Sequence, residues 1–134
     1  MALEVNDRRQ AQQFYNETKQ WQSEINSLVI DLMFLQRILD IYGLKISDPA
    51  EQRDISLLKE TLVSFIDFRI EKHRSLLKTH EDYLQRIVED RVLLKDRELP
   101  YKHQDMKTEV QDFWQGGMSL KNELYMKVEQ LKQF

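Results

Sequence analysis

The chain has 134 residues, 41% of them hydrophobic and 32% charged, and carries a net charge of −3 without any cysteine. This length is typical of one domain with its own core, and the absence of cysteine excludes disulfides and thiolate zinc sites. The slight acidic excess gives no electrostatic attraction to nucleic acid or to anionic membranes, so we expect neither as a partner.

Only three glycines and two prolines occur, which is typical of proteins built from long helices. We predict an all-α protein, an antiparallel long-helix bundle or coiled coil with three main helices at about residues 6–42, 49–98 and 101–134. These helices are expected to form a single helical-bundle domain over residues 1–134. Because the N-terminus has no apolar signal segment, we expect the protein to be cytoplasmic.

The first predicted helix carries a continuous apolar seam whose members are four and three residues apart in turn. This 3.5-residue repeat is typical of one helix packing along another. Further apolar residues lie outside the seam from Leu28 onward, so other helices have to cover most of this helix. The run from Leu28 to Tyr42 contains charged residues and is shorter than the ~20 residues of a membrane span, so we predict no transmembrane helix. The seam consists of Phe14, Thr18, Trp21, Ile25, Leu28, Leu32, Leu35, Leu39 and Tyr42.

Strong helix-ending and helix-starting signals separate the first two predicted helices. Gly43 suits the left-handed position just past a helix, and Leu44 is then expected to fold back onto that helix. Asp48 is the expected N-cap, Pro49 the first helical residue and Glu51 the reciprocal capping-box partner. A connection this short makes the two helices antiparallel neighbours.

The second predicted helix contains no helix-breaking residue before Pro100, which ends it. Consecutive four-residue steps in its apolar stripe near residues 62–70 form a stutter, which locally unwinds a coiled coil. The polar residues 69–75 mark the expected bend. In the third helix, Gly116 and Gly117 predict one of two features: a kink or short break, or close packing of a neighbouring helix at Gly117.

The expected alignment of the helices leaves one end of the bundle uncovered. If the third helix folds back at Pro100, it covers the second helix only from about Phe65 onward. The most apolar part of the first two helices is then exposed, and large exposed apolar patches usually mark interfaces. We therefore predict a homodimer in which two such ends form a four-helix core; the alternative is that a bend lets one chain cover itself. The expected interface residues are Phe34, Ile38, Ile41, Leu58, Leu62 and Phe65.

The three histidines do not predict a metal site. His73 and His80 share one face of the second helix, but two helical turns, about 10 Å, separate them. His103 is expected beside Asp96, and the sequence has no Glu-x-x-His pair of the kind that di-iron bundles use. We predict structural histidines that are hydrogen-bonded to neighbouring helices, with no metal and no cofactor.

No arrangement of residues in the sequence predicts catalysis. Five serines lie on predicted helices or beside the glycine pair, without the strand–turn–helix elbow that exposes a nucleophile: Ser27, Ser56, Ser64, Ser75 and Ser119. The paired carboxylates alternate with cations as on a solvated face. We therefore predict a non-enzymatic helical-bundle protein that acts through protein–protein contact, with itself or with another helical protein. The alternative is a bundle that binds a small apolar ligand or a metal in its core, with or without catalysis.

Overall fold

A computed structural model describes residues 2–89 and 98–132, and the side chains of residues 8–89 and 98–132. The elements are α1 (Ala2–Gly43), α2 (Pro49–Ser64), a π segment (Phe65–Ile70), α3 (Glu71–Val88) and α4 (Leu99–Leu131). This part of the chain contains no strand, so the predicted all-α class is confirmed. α2, the π segment and α3 follow one another without a gap and form the second long helix. Its predicted continuation over residues 90–97 lies outside the described residues.

The chain divides into two compact units, each built from segments that are distant in sequence. In unit 1, helices α1, α3 and α4 contribute Ala11, Leu84 and Leu99 to a buried cluster. In unit 2, Leu32 of α1 and Phe113 of α4 are fully buried. The single domain over residues 1–134 stays a prediction. Unit 1 consists of Met1–Glu24 and Lys72–Asp112, and unit 2 consists of Ile25–Glu71 and Phe113–Phe134.

The predicted seam of α1 is the buried side of this helix. Its members from Ile25 to Leu39 are at most 5% exposed, and Thr18 is fully buried. The Thr18 hydroxyl donates to the carbonyl oxygen of Phe14 at 2.8 Å. A polar residue fits into the seam because this bond satisfies its hydroxyl within its own helix.

The connection between α1 and α2 differs from the predicted one. Gly43 is the last residue of α1, and its φ lies outside the left-handed range. Leu44 is 89% exposed and does not fold back, whereas Ile46 is buried. The predicted left-handed glycine cap is therefore wrong. The chain leaves the helix through successive turns instead, because the amides of residues 44–46 donate to carbonyls three or four residues earlier.

The start of α2 follows the prediction more closely. Asp48 has extended backbone angles, and its side chain accepts a hydrogen bond from the Ala50 amide at 3.4 Å. Pro49 is the first residue of the helix. The carboxylate of Glu51, which was expected to complete a capping box, pairs with Lys127 of α4.

This ion pair shows that the predicted alignment of the third helix is wrong. Lys127 lies beside Glu51 and, at 3.9 Å, beside Asp54 at the start of α2. The predicted fold-back would have left this end of α2 without a third helix. The difference arises because α3 ends at Val88, earlier than predicted, and α4 begins at Leu99. In unit 2, α4 therefore covers the start of α2, which the predicted alignment left exposed.

The π segment lies where the stutter predicted local unwinding. A π turn accommodates one more residue than an α turn, so it changes which side chains face the core. Leu62, Phe65 and Ile70 are buried, whereas Ile66, which the four-residue steps placed on the inward stripe, is only half-buried. The stutter is thus absorbed without interrupting the helix. The expected bend at residues 69–75 stays a prediction.

Helix α4 continues through Gly116 and Gly117 without a break. Gly117 is buried, and a Cβ built on it would collide with the side chain of Leu28 and lie 3.2 Å from Cζ of Phe65. Of the two features predicted here, the break is wrong and the close packing is correct. Glycine is required because α1 and the π segment approach the backbone of α4 at this point.

We expect Gly117→Ala to lower the free energy of unfolding by about 1–2 kcal/mol, because overpacking costs more than the gain in helix propensity. Gly116→Ala is the matched control. Its Cβ would meet only the end of the Arg69 side chain, at 3.2 Å, which can move. This variant should gain about 0.5–1 kcal/mol. Chemical denaturation of both variants measures the difference, and equal effects at the two positions would contradict the packing argument.

Candidate functional site

One face of α1 in unit 2 exposes large apolar side chains. Successive residues of an α-helix are about 100° apart, so Ile30, Phe34 and Ile41 lie on the side opposite the buried seam. Their exposed fractions are 68%, 61% and 58%. Exposed Met33 and half-buried Ile38 flank them. We name this surface the outer stripe; it consists of Ile30, Met33, Phe34, Ile38 and Ile41.

The six predicted interface residues differ in their exposure. Leu58 of α2 is half-buried, and Leu62 and Phe65 are 0% and 6% exposed. Leu62 and Phe65 belong to the core of unit 2, where Phe65 stacks on Phe113 of α4 with ring centroids 5.2 Å apart. Because their own chain already covers them, their assignment to an interface is corrected. The predicted residues on the outer stripe are Phe34, Ile38 and Ile41.

The carboxylates beside the outer stripe are paired within the chain. Asp31 accepts a hydrogen bond from Lys121 of α4 at 2.9 Å, and Asp40 lies 2.5 Å from the ammonium of Lys59 on α2. Arg37 lies among the stripe residues and is exposed. Its apolar stem can lie along an apolar surface while its guanidinium reaches water. The stripe is therefore an apolar face bordered by neutralised carboxylates, which favours contact with another apolar surface.

Unit 1 contains a hydrogen-bonded chain of two histidines and a glutamate, which we name the histidine cluster: Glu17, His80 and His103. His103 of α4 is 3% exposed. Its Nε2 lies 2.7 Å from Oε2 of Glu17 on α1, and its Nδ1 lies 2.8 Å from Nε2 of His80 on α3. The ring of His103 stacks on Phe14 and Trp21, with centroid distances of 3.8 and 4.9 Å. One buried imidazole thus connects three helices.

The histidine cluster fits one pattern of proton donation. An ionised carboxylate only accepts, so His103 donates from Nε2 to Glu17. Nδ1 of the neutral His103 ring then accepts, and His80 donates to it from Nε2. Burial and the proximity of His103 lower the pKa of His80 to about 4. Burial also lowers the pKa of His103, although Glu17 opposes this change. Both rings are therefore neutral at pH 7.

Glu81 of α3 is another buried polar residue of unit 1, with 6% of its surface exposed. It accepts hydrogen bonds from Lys19 and Gln22 of α1 at 3.0 and 2.9 Å, and Lys78 lies 3.7 Å away. Burial alone would raise its pKa, but the hydrogen bonds and the two cations lower the pKa overall. The ionised carboxylate therefore helps to fix α1 against α3.

The geometry of the histidine cluster indicates a structural role for its imidazoles. Glu17 and His80 occupy both ring nitrogens of His103. Within residues 8–89 and 98–132, no group of three or more His, Asp or Glu side chains is arranged to hold a metal ion. Of the other predicted positions, His73 is half-buried on α3. Asp96, the predicted neighbour of His103, lies outside the described residues.

A surface groove lies between α2 and α4 in unit 2. Leu57, Leu58 and Met126 form its apolar part, and its volume is about 580 Å³. A second groove of about 500 Å³ continues from Thr61 over the π segment to Phe68. We name the two together the α2/α4 groove. Because both parts are open to solvent, the groove suits a segment of another protein better than a small ligand enclosed in the core.

Sequence reasoning placed His80 and His103 on inward stripes but did not bring them together. Their partners come from three different helices, so no local spacing connects them. The alignment that placed His103 beside Asp96 assumed that the second helix continued to Pro100. The available signal was the presence of two histidines on inward stripes of consecutive helices, since buried imidazoles need hydrogen-bond partners.

Comparisons with known proteins do not assign this chain to a family. A scan against protein-family models, a search of curated proteins and a search of solved structures each give no match. Among the described residues, no helix combines the length and the hydrophobicity that a membrane span requires.

Proposed function

We propose that this chain is a non-enzymatic helical-bundle protein that acts through protein–protein contact, and that its outer stripe joins two copies into a homodimer. The observation that carries the proposal is the exposure of Ile30, Phe34 and Ile41 in line on one helix face. Burying one such side chain stabilises a complex by about 1.5–3 kcal/mol. The cytoplasmic location and the lack of a nucleic-acid partner stay predictions.

The surroundings of the outer stripe favour a second copy as the partner. In a two-fold symmetric contact the same surface of each copy meets, so identical residues of the two copies lie near one another and have to be compatible. The apolar side chains of the outer stripe meet this condition, and the exposed guanidinium of Arg37 among them can reach water from its apolar stem. Asp31 and Asp40 are paired with lysines of their own chain, so two copies would not bring unpaired carboxylates together.

The test is the molar mass of the protein in solution, measured by light scattering over a concentration series. We expect the wild type to be a dimer and Phe34→Glu to be a folded monomer, because the dimer contact would bury an unpaired carboxylate. Phe68→Glu is the matched control. Phe68 is 71% exposed and lies on the π segment rather than on α1, and its replacement should leave the dimer intact.

Two results would contradict the proposed homodimer. A wild type that stays monomeric at micromolar concentration would exclude self-association and would favour a different helical protein as the partner of the outer stripe. Dissociation by Phe68→Glu but not by Phe34→Glu would place the contact on another face. Circular dichroism of each variant checks that a change in mass does not result from unfolding.

A further inference from the structure

The α2/α4 groove is a second apolar surface, separate from the outer stripe. Leu57 of α2 is 61% exposed, Phe68 of the π segment 71% and Met126 of α4 71%. Leu57 and Phe68 are eleven positions apart in the sequence, or about 16 Å along a helix. A helix of a binding partner that lies in the groove would span this distance with about three turns. The site includes a π segment, a feature that is rare and often occurs at functional sites.

The charges along the groove are mainly acidic. Asp54 and Glu123 line its first part, and Glu60 lines the second. Two cations also line it: Lys127 pairs with carboxylates of its own chain, whereas Arg69 contacts an aromatic ring, which carries no neutralising charge. Lys127 pairs with Glu51 and lies near Asp54, and the Arg69 guanidinium lies over the ring of Phe65 at 5.3 Å. A partner would therefore meet carboxylates beside the apolar side chains, which favours lysine and arginine.

The form of the groove favours a helical partner. Its first part runs between the antiparallel helices α2 and α4, and its second part continues along α2 and the π segment. Ridges of side chains on a third helix can pack into such a groove. The described part of the chain has no strand, so an extended peptide has no sheet edge to join. The acidic border would repel the phosphates of nucleic acids and of anionic lipids.

We propose that the α2/α4 groove binds an amphipathic helix of another protein, with its apolar face flanked by lysine or arginine. The apolar face would contact Leu57, Met126 and Phe68, and the cations would lie near Glu60 and Glu123. This interaction is independent of the proposed homodimer, because it uses α2, α4 and the π segment rather than the outer stripe. The chain would then connect a copy of itself with a basic helical partner.

The test uses two synthetic, fluorescently labelled peptides of about 18 residues, long enough to span the groove as a helix. Both carry leucines on one face at helical spacing; lysines flank this face in one peptide and glutamates in the other. Fluorescence anisotropy should show saturable binding of the lysine peptide to the full chain, with the glutamate peptide at least about tenfold weaker. The double variant Glu60→Lys with Glu123→Lys should reverse this preference.

Two further variants locate the binding site. Met126→Ser should weaken binding of the lysine peptide, since it removes an apolar contact, whereas Phe34→Glu on the outer stripe should leave binding unchanged. These residues are exposed, so the substitutions should not impair folding. The proposal is overturned if the lysine peptide shows no saturable binding, if both peptides bind equally, or if Phe34→Glu abolishes binding while the charge-reversed double variant retains it.

Discussion

Replacing Phe113 by alanine is expected to lower the free energy of unfolding by about 3–5 kcal/mol. Phe113 of α4 is fully buried, and its ring lies nearly parallel to that of Phe65, at an angle of 12°. The Arg69 guanidinium lies 5.9 Å from the centre of the Phe113 ring. Alanine would leave a cavity and remove both the stacking and the cation–π contact. A loss of this size is a large part of the 5–15 kcal/mol stability of a typical domain.

The measurement is urea denaturation followed by circular dichroism, with Tyr125→Ala as the control. Tyr125 is an aromatic residue on the same helix, but 56% of its surface is exposed, so its replacement should change stability by about 0.5 kcal/mol or less. Phe113→Leu should cost less than Phe113→Ala, because leucine fills more of the space. Similar losses for Phe113→Ala and Tyr125→Ala would contradict the assignment of Phe113 to the core of unit 2.

Helix content and the buried side of α1 followed from local properties of the sequence. The apolar seam from Ile25 to Leu39 is buried regardless of which helix packs against it. The burial of this side of α1 could therefore be predicted without knowing the neighbouring helix. The N-cap at Asp48 is equally local, since a short polar side chain before Pro49 satisfies the first amides of the helix.

The alignment of the helices could not be predicted in the same way. It depends on where α3 ends, and no glycine or proline marks Val88 as the last residue of that helix. An error of several residues at this end changes the neighbour of every residue on α4. In the predicted alignment, this error placed Lys127 far from Glu51 and His103 beside Asp96. It also created the expectation of a bare end in unit 2, which led to the assignment of buried Leu62 to an interface.

The glycine pair shows a second limit of sequence reasoning. A glycine inside a helix either weakens the helix or admits a close neighbour, and the sequence alone does not distinguish these effects. The outcome depends on the side chain that faces the glycine, which for Gly117 is Leu28 of a different helix. The same holds for the histidine cluster, because each of its members needs a partner from another helix.

Acidification from pH 7 to pH 4 is expected to destabilise the protein through His80. Its pKa is about 4 in the folded protein against 6.5 for an unperturbed histidine. The His80 ring therefore stays neutral in the folded protein at pH values at which the unfolded chain binds a proton. The free energy of unfolding is accordingly highest above pH 6.5 and falls as the pH decreases towards 4. The full difference corresponds to about 3 kcal/mol. Because His80 is partly exposed, we expect screening by solvent to reduce the loss to about 2 kcal/mol.

Two neighbouring effects act beside that of His80. The lowered pKa of His103 gives the same sign, because burial disfavours its charged form as well. The lowered pKa of Glu81 also reduces stability in acid, but only below the ordinary carboxyl value of 4.5. The histidine contribution is therefore measured between pH 7 and 5, above the range in which Glu81 takes up a proton.

Denaturation curves at several pH values in this range should show a clear fall in the stability of the wild type. His80→Gln should show a smaller fall, because the glutamine amide can still donate to Nδ1 of His103 but does not titrate. His73→Gln is the matched control: it removes a histidine of the same helix outside the histidine cluster and should retain the pH dependence. If His80→Gln loses stability as steeply as the wild type, another group carries the proton linkage. If His73→Gln alone abolishes the fall, that group is His73.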